Sequence, residues 1–334
     1  MKRQPARRLI LPMFCFLWFA GCVSTSGPES HWAGLSAPAR VETQPWLFQG
    51  KPARVLLTDH YAIHTTITDQ TFLQSLAQLM EGAYAQYRAL TPAVPPSDHL
   101  LDCYVFAQRS EWARFTAEHT GDDAAVYLQI NRGGYTRRDW FVAYYIGDVG
   151  TFAVAAHEGW HQYVARHFKS RLPPFLEEGL ATMFETVRWS DDLPRWDLMQ
   201  NPNRLARLRR AIDDHQLFPL DQLIAMHAGQ VVGLSGGKIE AFYAQDWAFA
   251  VFLLYGEHGK HRPALLRLLS DAAGGTAYLP GELPHSILPD AWQPQSVRPL
   301  LQRYLGEDLP AIEREYRAFM QNLVKGVEGA YEPQ

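Results

Sequence analysis

Few folds can accommodate residues 149–168 of this chain. At their centre stands Ala156-His157-Glu158-Gly159-Trp160-His161-Gln162. In a helix, histidines four residues apart lie one turn apart on the same face, close enough to meet one ion. The flanking apolar residues recur at helical spacing, so the pattern predicts a helix over 149–168. Two neutral imidazoles on one face can approach a single metal ion from one side. Glu158, beside that face, can reach a water on the ion without ligating it. Zinc suits such a site, because it takes nitrogen and oxygen ligands and keeps a position open for water. The carboxylate can then take the proton of a water whose pKa the metal lowers to about 7.

A second segment completes the pattern. Pro173-Pro174 opens a predicted helix over 175–186, which begins Phe175-Leu176-Glu177-Glu178-Gly179-Leu180-Ala181. Sixteen residues separate His161 from Glu178. A loop and a short helix of that length can return a carboxylate to the first helix as a third ligand. Glu177 is the rival, since adjacent helix positions point about 100° apart and periodicity does not choose between them. The plainer alternative for both acids is an exposed first turn favoured by the helix dipole.

Together the two motifs resemble the gluzincin metallopeptidases, in which H-E-x-x-H is followed on a second helix by a glutamate in an E-G-x-A context. The likeness is greatest to peptidase MA-like bacterial lipoprotein families, including domains of unknown function with P-x-L-x-E-G-L-A after the zinc helix. It runs from about residue 61 to 319 and is strong at 157–161 and 174–181. The resemblance implies an α+β, zincin-like fold: a mixed sheet and an active-site helix, followed by a mainly helical C-terminal lobe. It implies one zinc ion on His157, His161 and Glu178, Glu158 as general base, and hydrolysis of a peptide or protein substrate. Ile239-Glu240-Ala241-Phe242-Tyr243-Ala244-Gln245-Asp246-Trp247-Ala248 is similar to the families' Y-x-Q/K-x-x-A segment. That match points to Tyr243 as the donor to the developing oxyanion, with Asp246 where a small residue is usual. The strand over 140–146 is implied to be a sheet edge on which an extended peptide pairs, with Gly134-Tyr135 as the family's turn. The G-x-M-E-N of the related aminopeptidases is missing, which argues against that exopeptidase activity.

The N-terminus reads as an address. Lys2, Arg3, Arg7 and Arg8 precede an apolar stretch over 9–20, as in an export signal. Phe19-Ala20-Gly21-Cys22 resembles a bacterial lipoprotein processing site, with Phe19 where leucine is usual. Residues 1–21 are expected to leave, Cys22 to carry lipid, and residues 22–45, rich in Ser, Gly, Pro and Ala, to form a flexible tether. The body is then expected at the cell envelope, held to the membrane through its anchor only. In a Gram-negative cell that means the outer membrane, facing the periplasm, because Val23 and not Asp follows the cysteine. Cys103 would be the single remaining cysteine, so no intramolecular disulfide is expected, and its apolar neighbours place it in a core. The chain has 31 basic and 35 acidic side chains, a net −4. Without the four basic residues of the leader the balance moves to −8, which argues against a nucleic-acid partner.

The remaining pattern predicts strands over 54–58, 61–66, 102–107, 125–130 and 140–146. Asp69 is expected to cap a helix running to about Leu90, and a second helix is expected over 110–119. Later helices are expected over 202–213, 238–255, 262–269 and 310–324, with 274–299 extended. This organisation suggests two lobes, a zincin-like α/β lobe over 46–195 and a helical lobe over 196–334. Gly233-Leu234-Ser235-Gly236-Gly237-Lys238 lacks the residues of a phosphate loop and reads as a flexible loop. His60, His64, His119 and His167 have no ligand spacing to the motif and read as surface or core residues. Two other functions keep the same fold: a non-catalytic envelope binding or scaffold module, and metal-water chemistry on an ester, an epoxide or a cell-wall amide.

Overall fold

A computed structural model describes residues 32–231, 234, 237–282 and 294–326. The leader, Cys22, half of the glycine-rich loop at 233–238 and part of the 274–299 connection lie outside the described residues. The chain enters through β1 (Ala33–Gly34). β2 (Glu42–Phe48) and β3 (Lys51–Leu57) form a hairpin whose two-residue turn, Gln49-Gly50, has φ of 52° and 74°. Positive φ at both positions suits the right-handed twist of a tight hairpin. β4 (Tyr61–Thr65) adds antiparallel to β3. Asp69 then caps α1 (Gln70–Leu90), accepting from the amides of Thr71 at 2.9 Å and Phe72 at 3.1 Å. This is the capping expected from the sequence.

β5 (Leu101–Phe106) pairs parallel to β4. After α2 (Arg109–His119) comes α3 (Ala124–Tyr127), where a strand over 125–130 is expected from the sequence. Val126 is 64% exposed there, so the apolar alternation buries nothing and the alanines take a helical turn. The strand that pairs is instead β6 (Gly134–Arg137), so Gly134-Tyr135 opens a strand and is not a turn. β7 (Trp140–Tyr144) lies between β5, parallel, and β6, antiparallel. The six strands run in the order β2-β3-β4-β5-β7-β6. The edge beside the motif helix is therefore β6, and β7, the strand implied to be the edge, is interior.

α4 (Asp148–His167) carries the histidine motif and packs on α1, β6 and β7. α5 (Pro174–Met183) follows with proline in its first turn. A hairpin of β8 (Arg188–Ser190) and β9 (Leu193–Trp196) pairs with β1. Ala39 exchanges two hydrogen bonds with the Gln78 side chain of α1, at 2.6 and 3.1 Å. Residues 33–45, expected to be tether, thus include strand β1, the start of β2 and a segment tied to α1. Backbone pairing and a buried amide hold them where composition alone suggests a linker.

The second half is helical: α6 (Pro202–Asp213), α7 (Leu220–Leu223), α8 (Ala228–Val231), α9 (Lys238–Tyr255), α10 (Arg262–Gly274), α11 (Val297–Leu305) and α12 (Leu309–Lys325). α9 is apolar on every side and lies under its neighbours, as an all-round hydrophobic helix must. Each fully buried Phe or Leu on it contributes about 1.5–3 kcal/mol. Two lobes are not what these contacts make. One apolar core runs from Leu56 and Ile63 through Trp160 and Phe175 to Phe249 and Tyr316. The body from Trp32 onward is one compact unit, because α5 buries its apolar face against α9. A smaller cluster, including Phe106, Trp112 and Tyr135, covers the other face of the sheet under α2. Among the described residues no helix is long and apolar enough to cross a membrane.

The α5–α9 approach needs Gly179. A Cβ there would sit 2.2 Å from the Asp246 carbonyl oxygen, a backbone atom that cannot swing away. Gly179→Ala is expected to force the helices apart at a cost of about 1–3 kcal/mol or more, read as a lowered Tm. An unchanged Tm would show that the two helices are not in this contact.

Candidate metal centre

Helical spacing brings His157 and His161 to one face of α4, and α5 lays its own acidic turn across them. The Nε2 atoms of the two histidines are 3.2 Å apart. Glu178 Oε2 lies 3.3 Å from His157 Nε2 and 3.6 Å from His161 Nε2. All three side chains are only 14–15% exposed. Of the two rivals on α5, Glu178 is the one that faces this pair. Glu177 turns to the other side of the ring, with Oε1 2.9 Å from His161 Nδ1.

Each imidazole has its own carboxylate on Nδ1. Glu177 serves His161, and Glu185 serves His157 at 3.1 Å. A carboxylate can only accept, so each Nδ1 carries the proton and each Nε2 presents a lone pair when the ring is neutral. Three electron-pair donors then face one another across 3.2–3.6 Å. Zinc with bonds of about 2.0–2.1 Å in tetrahedral geometry needs donors about 3.3–3.4 Å apart. The donor set and its spacing therefore fit a zinc ion, and the carboxylates on Nδ1 are the usual means of orienting such ligands.

Glu185 was not singled out in the sequence. It lies two helical turns beyond Glu178 in chain order, and that i,i+7 relation was its available signal. Arg204 of α6 grips it with two nitrogens, at 2.9 and 2.5 Å, and Asn201 Nδ2 adds a third bond at 3.0 Å. Burial opposes the charge on Glu185, but Arg204 and then His157 hold its carboxyl down at about 2. Burial likewise opposes the charge on His157, yet Glu178 and Glu185 raise it to about 9. His161 is raised in the same way, by Glu178 and Glu177 against burial.

Glu158 leaves the histidine face toward the sheet edge and is 8% exposed. The Thr136 hydroxyl on β6 donates to its Oε2 at 2.8 Å. Gly134 makes room for it, since a Cβ there would lie 2.7 Å from the Val142 carbonyl oxygen and 3.2 Å from Glu158 Cγ. Tyr243 of α9 is half-buried, with the Arg204 guanidinium 5.1 Å from its ring centroid. Burial raises its hydroxyl well above the ordinary range, and Glu178 adds to the effect. The phenol is thus a proton donor at any ordinary pH. Asp246, one turn along α9, is fully buried, and neither carboxylate oxygen has a hydrogen-bond partner among the described residues. Burial, and then Glu178, raise its carboxyl well above the usual range.

The remaining expectations separate cleanly. A second group of potential ligands, His261, Glu307 and Glu315, is filled by a lysine: Lys260 Nζ lies 2.7 Å from Glu307 and 2.6 Å from Glu315. Lys238 donates to the Gln216 carbonyl at 2.9 Å and covers the Phe218 ring, which leaves it no phosphate role. His60 bonds to Glu81, His64 to Asp102 and His119 to its own helix. His167 is held down to about 4 by burial and the nearby Arg88 and Arg166. Cys103 is buried in the core. A comparison with protein-family models finds no match, and neither does a comparison with curated proteins.

The paired charges give a sign for pH. In metal-free protein, the stabilisation from charged His157 is complete below the unfolded pKa of about 6.5 and is lost as pH rises through about 9. Burial disfavours the Glu178 carboxylate, but His161 and then His157 lower its pKa, so its contribution is lost as pH falls below about 4.3. A metal needs neutral imidazoles, so protons compete with it. Zinc is therefore expected to raise Tm more at pH 8 than at pH 6, with no rise in His161→Ala. Equal rises at both pH values would mean that the imidazoles are not ligands. For Asp246 the sign is opposite, because a raised acid destabilises increasingly above its unfolded pKa of about 3.9. Asp246→Asn is expected to raise Tm at pH 7, by about 2–4 °C for each kcal/mol recovered, and to leave it unchanged at pH 4. No gain at pH 7 would show that the carboxyl is not isolated.

Proposed function

We propose that the chain is a zinc-dependent metallopeptidase of gluzincin type, exported and tethered to the bacterial envelope through a lipid on Cys22. The convergence of His157 Nε2, His161 Nε2 and Glu178 Oε2 within 3.2–3.6 Å of one another carries this reading. Zinc, when bound by those three residues, supplies the Lewis acid that makes water a nucleophile at neutral pH.

The chain's own residues supply the rest. Thr136 holds one oxygen of Glu158 and leaves the other for the proton of the attacking water. As the water oxygen bonds to the carbonyl carbon, Glu158 takes that proton. It passes the proton to the amide nitrogen as the C–N bond breaks. The Tyr243 hydroxyl, kept protonated by burial, is suited to donate a hydrogen bond to the oxygen on which charge develops. The β6 edge, antiparallel to β7 and joined to Glu158 through Thr136, offers backbone groups on which an extended peptide can pair. That pairing would place a scissile bond beside the base.

Glu158→Gln separates binding from chemistry. It is expected to keep about one zinc per chain and to lose about 10²–10⁴-fold in turnover of a peptide library. Full zinc with undiminished turnover would remove Glu158 as the base. Full zinc in wild type with no hydrolysis of any peptide would favour the binding or scaffold module.

A further inference from the structure

We propose that Arg204 is a positioning residue that ties the orientation of His157 to that of Tyr243. The inference rests on the zinc-site reading above. Arg204 lies at the start of α6, where the Asn201 side chain caps its amide at 3.1 Å and fixes where the side chain begins. Its Nε and Nη2 meet the two oxygens of Glu185 at 2.9 and 2.5 Å, a two-pronged grip that holds the carboxylate's plane as well as its position. The same Glu185 holds Nδ1 of His157 at 3.1 Å. The guanidinium also lies 5.1 Å from the centroid of the Tyr243 ring. One planar cation thus touches the group that orients a ligand and the group suited to stabilise the oxyanion. Glu185 follows the end of α5 and Tyr243 lies on α9, so the cation joins two separate elements.

Charge and shape both matter here. Glu185 is buried, and without Arg204 its carboxylate would lose its largest source of stabilisation. His157 would then lose a fixed partner on Nδ1, and the ring would be free to rotate away from the lone-pair direction that a metal needs. A lysine could restore the charge, but it has neither the two-pronged geometry nor the flat face for the ring.

Zinc affinity, measured by competition with a chelating dye on the whole mature protein, needs no substrate. Arg204→Gln and Glu185→Gln are each expected to weaken zinc about 10–100-fold, with the double variant no weaker than the weaker single one. Arg204→Lys is expected to recover only part of the loss. A folded Arg204→Gln that binds zinc as tightly as wild type, or losses that simply add in the double variant, would overturn the relay through Glu185. The Tyr243 arm is read in metal-free protein by a Tm cycle of Arg204→Gln with Tyr243→Leu. A double loss smaller than the sum of the single losses is expected, and strict additivity would overturn that arm. Should wild type bind no zinc at all, the zinc reading fails on its own, while the metal-free cycle still decides whether Arg204 is coupled to Tyr243.

Discussion

Two imidazoles and a carboxylate point at one another inside the protein, and that mutual repulsion has to be contained. The Nε2 atoms of His157 and His161 and Oε2 of Glu178 lie 3.2–3.6 Å apart with little solvent to separate them. In the absence of a metal, protons on the histidines relieve the strain, which is why both rings are raised against the pull of burial. Either a proton or a cation must therefore occupy the space. The two Nδ1 carboxylates, Glu177 and Glu185, decide which atoms point inward, and so turn a histidine-rich helix face into a directed donor set.

The packing around α4 and α5 serves that geometry. Gly159 lets the Tyr87 hydroxyl reach the Ala156 carbonyl at 2.5 Å, which brings α1 close under the motif helix. Gly179 lets α5 lie directly on α9, one residue beyond the glutamate that faces the histidines. Asp246 lies at the same contact and weakens it energetically, since a carboxyl with no partner among the described residues is costly to bury in an apolar helix.

Much of this was legible in the residues, and the rest shows why some was not. The helix at 70–90 announced itself by its Asp69 cap and apolar spacing, and the one at 148–167 by its apolar spacing, because local physics dictates them. Periodicity left Glu177 and Glu178 open. Only packing against α4 separates them, with one carboxylate meeting Nε2 atoms and the other Nδ1. The β6 strand hid because the family resemblance marks Gly134-Tyr135 as a turn, and with the strand went Thr136. Arg204 lies 47 positions from His157, and no local rule links them. The division into two lobes failed for a related reason, because a switch from strands to helices marks a change of element type and not a gap in the core.

The most direct test is X-ray absorption at the zinc edge on the reconstituted protein. Two imidazole nitrogens with carboxylate and water oxygens at about 2.0–2.1 Å are expected, with the carboxylate contribution lost in Glu178→Ala. A spectrum without imidazole scattering, or one unchanged by Glu178→Ala, would contradict the three-residue site.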